Sequence, residues 1–83
     1  MKAFLVHYSE TQNIFLSKDS KDSLNQRLNE LLRENLLQRS FLSEDQNDMW
    51  LHIIADDLEI VEMIVKSINS FSGLNKRIVT LQE

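Results

Sequence analysis

His7, Tyr8, Ser9 and Glu10 stand together at the end of one apolar stretch, and a second histidine, His52, lies inside another. Two imidazoles held within reach of each other form a general acid–base pair; spread over a sheet they are more commonly hydrogen-bonded structural residues. Tyr8, Ser9 and Glu10 occupy the end of a strand, a place where active or ligand groups often sit, yet no histidine-activated nucleophile motif surrounds Ser9. Arg39, Lys76 and Arg77 are the cations that could touch phosphates across a dimer, against a plain reading as solvated edge residues. Glu44-Asp45-Gln46-Asn47-Asp48 resembles a carboxylate cluster for a metal, but nothing nearby forces the carboxylates to converge, and it reads as a solvated turn. Asp56 and Asp57 precede an apolar helix and read as caps.

Composition narrows the chemistry. The chain has no Cys and two His, which leaves no thiolate or closed structural zinc site, and neither metal nor cofactor is expected. A net charge of −4, with nine basic residues spread along the chain, disfavours broad electrostatic capture of nucleic acid, although a dimer could assemble a small basic groove. There is no glycine-rich phosphate loop and no aromatic pattern of an RNA-recognition sheet. No run approaches the length of a membrane span, and Met1 to Tyr8 turns polar too soon for a signal peptide, so the expectation is a cytoplasmic protein without a membrane partner.

The elements that must position these residues follow from periodicity. Lys2 to Tyr8 alternates Ala3, Leu5 and His7 against Phe4, Val6 and Tyr8, a strand apolar on both faces that ends in a polar turn. Ile14-Phe15-Leu16 is either a short edge strand or a loop, and the loop is preferred. Ser17 to Ser23 reads as a loop running into a helix cap. Leu24, Leu28, Leu31 and Leu32 set an amphipathic helix over 20–34, capped by Asp19 or Ser20 and terminated at a left-handed Asn35. Residues 36–43 form a weaker edge strand, joined by the acidic turn to Met49–Ala55. That second apolar strand divides into Met49, Leu51, Ile53 and Ala55 on one face and Trp50, His52 and Ile54 on the other. A capping-box spacing from Asp56 to Glu59 opens a helix whose stripe is Leu58, Val61, Ile64, Val65, Ile68 and Phe71, widened by Ile60 and Met63. Gly73 supplies its left-handed stop, and residues 75–82 close the chain as a strand.

The order β-α-β-β-α-β predicts a single domain over residues 1–83 of α+β class, the ferredoxin-like split βαβ arrangement. Its antiparallel sheet has strand order 4-1-3-2 and both helices on one face. Strands 1 and 3, the two apolar on both faces, fall in the middle. With helices for one side only, the other side of the sheet exposes an apolar patch that a partner must cover. The expectation is a homodimer formed through the sheets, with Leu5, Trp50, His52 and Ile54 at the interface if that face points outward. The alternative outward set is Phe4, Val6 and Tyr8 with Met49, Leu51 and Ile53.

Val6-His7-Tyr8 at the end of strand 1, Gln38-Arg39-Ser40-Phe41-Leu42 after the first helix, and the acidic approach to the second helix resemble the small CRISPR adaptation nuclease family and its ferredoxin-like relatives among toxin–antitoxin proteins. The likeness covers the layout of most of the chain through short motifs. It implies a small homodimer acting on or near nucleic acid or a cognate protein. Family members carry an Asp directly after the strand-1 Tyr, implicated in divalent metal binding at the dimer axis; this chain has Ser9 there, with Glu10 next. The departure favours a dimeric, non-enzymatic module that binds another protein as an antitoxin, inhibitor or regulator would. The second reading is a metal-dependent endoribonuclease using Glu10 with Ser9, Tyr8 or His7 assisting. The third, an amino-acid-sensing domain of ferredoxin-like type, lacks the glycine-rich ligand loop.

Overall fold

The computed structural model describes residues 2–81, apart from the side chain of Asn69. The alternating stretch Lys2–Ser9 forms β1 and pairs antiparallel with β3 (Asp48–Ala55) on one side and β4 (Lys76–Leu81) on the other; β2 (Leu37–Leu42) pairs with β3. The result is one four-stranded antiparallel sheet in the order β2-β3-β1-β4. The two strands that are apolar on both faces are the central pair. Gln82, expected as the end of the last strand, lies outside the described residues, as do Met1 and Glu83.

Phe4, Val6 and Tyr8 of β1 and Met49, Leu51, Ile53 and Ala55 of β3 point inward to a single core. The sheet is covered there by α2 (Lys18–Arg33), through Leu24, Leu28 and Leu31, and by α3 (Leu58–Lys66), through Val61, Ile64 and Val65. Arg27 of α2 donates to Ser67 Oγ at 2.8 and 3.2 Å, tying the middle of α2 to the end of α3.

Several boundaries differ from the sequence expectation. Gln12–Leu16 is a short helix, α1, and not a loop or strand: Ile14 is buried, and only a helical turn sends it inward while leaving Leu16 outside. Helix α2 begins at Lys18, two residues earlier than expected, because Ser17 and neither Asp19 nor Ser20 is the cap; its Oγ accepts from the Ser20 amide. The α2 terminator is as expected. Asn35 has φ +60°, its amide bonds the Leu32 carbonyl and that of Leu36 bonds the Leu31 carbonyl, which is a Schellman motif. Leu32 is left exposed on the flank of the stripe.

Helix α3 is capped by Asp57, whose carboxylate accepts from the Ile60 amide at 3.0 Å, so the capping box expected from Asp56 does not form. It ends at Lys66 and not at Phe71: the Ser67 hydroxyl bonds the Ile64 carbonyl, and the chain tightens into a 3₁₀ turn, Asn69–Phe71, that still delivers Ile68 and Phe71 to the core. Gly73, at φ +85°, follows that turn instead of the α-helix. Leu58 and Met63, expected in the stripe, are exposed.

Candidate interaction face of the sheet

Register decides which side chains share the side without helices. Residues opposite one another in an antiparallel pair project to the same face. His7 faces Trp50 on β3 and Arg77 on β4, and Trp50 in turn faces Phe41 on β2. This makes one row across the sheet, Phe41-Trp50-His7-Arg77. The next row is Arg39-His52-Leu5-Val79, and beyond it Ile54, Ala3 and Leu81 continue the surface. The face that points away from the helices is therefore Trp50, His52 and Ile54 with Leu5 and His7. The alternative set, Phe4, Val6 and Tyr8 with Met49, Leu51 and Ile53, is core.

The face is apolar at its centre and charged at its margins. Leu5, Trp50, His52 and Ile54 are half-buried by their neighbours, whereas Phe41 on one edge strand is 49% exposed and Val79 on the other 43%. His7 lies over Trp50 with ring centroids 5.0 Å apart, and its Nε2 hydrogen-bonds Asp48 Oδ1 at 3.0 Å. The His52 Nε2 is shielded from solvent and has no partner among the described residues. The two histidines do lie on a cross-strand diagonal, but His7 is stacked on Trp50, its neighbour in the same row, and is already committed to Asp48. They make no direct pair.

The strand-end cluster is divided by the pleat. His7 and Ser9 belong to the open face, while Tyr8 turns into the core, stacks on Phe71 at 4.1 Å between centroids, and keeps a buried hydroxyl with no partner among the described residues. Burial pushes its phenol well above the usual tyrosine range. Glu10 is exposed in a left-handed turn conformation, φ +59°. Tyr8 thus does not join His7, Ser9 and Glu10 in one site. Arg39 and Arg77 do lie on the open face, at opposite edge strands. Lys76, the cross-strand neighbour of Tyr8, belongs to the helix side.

In the acidic turn two of the three carboxylates have a local task. Asp45 accepts from the Ser43 hydroxyl at 2.6 Å and from the Asn47 amide at 3.0 Å, which holds its carboxyl below the ordinary aspartate range, while Asp48 accepts from His7. Among the described residues no group of three or more His, Asp or Glu is placed to hold a metal ion. No described helix is long and apolar enough to cross a membrane.

Phe41 and Val79 were not singled out from sequence. Val79 could have been placed by extending the register from Leu5, but Phe41 could not. A bulge between Leu37 and Arg39 inserts one residue into β2, so that Leu37 faces the core while Arg39 and Phe41 face outward.

No family model matches the chain, and no curated protein matches it. Among solved structures, MtbAldR superposes on the whole of this chain with a TM-score of 0.61 at 11% sequence identity, a likeness of fold. The aligned region is 55% of the MtbAldR chain, so this chain spans about half the length of that neighbour.

Proposed function

We propose that this protein is a small non-enzymatic interaction module of antitoxin, inhibitor or regulator type, a homodimer formed through the open faces of two sheets. One observation carries the reading: Leu5, Trp50, His52 and Ile54 are contiguous on the side that has no helices, and Phe41 and Val79 extend the apolar surface to both edges. Burying several such side chains at roughly 1.5–3 kcal/mol each offsets the cost of association. A second copy is the occupant the face suits. Its rim carries both signs of charge, Arg39 and Arg77 on the edge strands and Asp48 at the start of β3, so a two-fold arrangement has opposite charges to pair. Dimerisation would leave the remaining acidic surface free for a protein partner.

The ferredoxin-like classification is supported by the order of the strands, which counted from the β4 edge runs 4-1-3-2. The resemblance to the CRISPR adaptation and toxin–antitoxin proteins is part of the same proposal, as a source of dimeric scaffolds.

In sedimentation velocity the wild-type chain is expected to run as a dimer, and Trp50→Glu or Ile54→Glu as folded monomers with an unchanged far-ultraviolet spectrum. Dimers unaffected by both substitutions overturn the face assignment. Incubation with labelled RNA and Mg²⁺ or Mn²⁺ is expected to leave the RNA intact; cleavage abolished by Glu10→Ala would replace the module with the endoribonuclease.

A further inference from the structure

On the other side of the sheet from the proposed dimer face, the 3₁₀ turn and the start of β4 leave a cleft of about 240 Å³ against the end of α3. Tyr8, Ile68 and Phe71 form part of its lining, with Lys66, Ser72 and Lys76 supplying the polar groups. Two features set it apart from an ordinary surface dimple. The Tyr8 side chain, 1% exposed, carries a hydroxyl with no hydrogen-bond partner among the described residues, although buried hydroxyls are nearly always paired. Lys66, the last residue of α3, and Lys76, the first of β4 and directly opposite Tyr8, both line the cleft, and neither has a carboxylate partner among the described residues.

We propose that this cleft binds a small organic acid, one carboxylate on a short apolar body. The carboxylate is held by Lys66 and Lys76, and the body lies against Ile68 and Phe71. The Tyr8 hydroxyl donates to the ligand once it is seated, which satisfies a group the free protein leaves unpaired. The volume lies below that of ordinary drug-sized pockets and limits the body to a few carbons. No Asp or Glu lines the cleft, so the ammonium of an α-amino acid would meet two lysines and no counter-ion. The preference is for the simple acid over the amino acid of the same skeleton. The site stands independently of the dimer proposal, because it uses the helix-facing side of the sheet.

The test is a titration of ¹⁵N-labelled full-length protein, followed by heteronuclear NMR, with isovalerate, isovaleramide, valine and inorganic phosphate. Isovalerate is expected to give saturable shifts at Phe71, Ser72 and Lys76, and the other three compounds much weaker ones. Lys66→Gln with Lys76→Gln, and separately Tyr8→Phe, should weaken isovalerate by about tenfold or more each. Tyr8→Phe should at the same time raise the melting temperature of the unliganded protein, which a merely structural role for the hydroxyl would not do. Equal binding of the amide or of phosphate, or affinity unchanged in the lysine double variant, overturns the proposal. So does the absence of saturable shifts with isovalerate.

Discussion

Tyr8 shows how one side chain divides what the sequence places together. It follows His7 and precedes Ser9, and in a strand that adjacency means opposite faces. The ring therefore packs on Phe71 while the imidazole of His7 packs on Trp50. Its unpaired hydroxyl costs the free protein about 1–3 kcal/mol. Tyr8→Phe is accordingly expected to raise unfolding free energy by about 1 kcal/mol in urea titrations; a loss of that size would mean the hydroxyl has a partner after all. Asp45 makes the opposite case, a carboxylate stabilised in its charged form first by the Ser43 hydroxyl and then by the Asn47 amide. A group held below its ordinary value supports the folded turn above the unfolded pKa, and that support disappears as pH falls through the lower folded one. The ¹³C titration midpoint of the Asp45 carboxyl should lie below the ordinary 3.8, and Ser43→Ala should raise it. A midpoint at or above the ordinary value would remove the Ser43 contact from the account.

At the scale of elements, the central strands were legible because their two-sided apolar pattern is written into Phe4, Val6, Leu51 and Ile53 on one face and Leu5, Trp50 and Ile54 on the other. Which face is the outer one was not legible. That depends on where α2 and α3 land, and both sets are apolar enough for either role. Asn35 was legible as a terminator because few residues tolerate positive φ. The end of α3 was not: Ile68 and Phe71 keep helical spacing while the backbone has already tightened to 3₁₀ geometry after Ser67. Position 38 was equally silent, since a bulge leaves no mark in a six-residue edge strand. Deleting Gln38 should replace the bulge with plain alternation that keeps Leu37 on the core face and Arg39 and Phe41 on the outer one. The deletion variant is expected to keep its unfolding free energy to within about 0.5 kcal/mol in urea titrations, and a loss of well over about 1 kcal/mol would show that β2 needs the inserted residue to reach its register.

For the whole molecule, a single helical layer on one side of a four-stranded sheet stabilises a small domain only modestly, and a large share of its apolar surface remains on the uncovered side. The covering copy proposed for that side would contribute both to stability and to the solvent exclusion that Leu5, Val79 and Phe41 lack in one chain. In that proposed dimer, partner recognition would fall to surfaces outside the two sheets, and the cleft beneath Tyr8 would remain open. Trp50 is the chain's single tryptophan and lies at the centre of the face, so its emission reports directly on cover. Fluorescence should be recorded as the protein is diluted from micromolar to nanomolar concentration. The expected result is a red shift and easier iodide quenching, with a midpoint that matches dimer dissociation in sedimentation; an emission maximum independent of concentration, in a chain that sediments as a monomer throughout, would contradict a dimer built on this face.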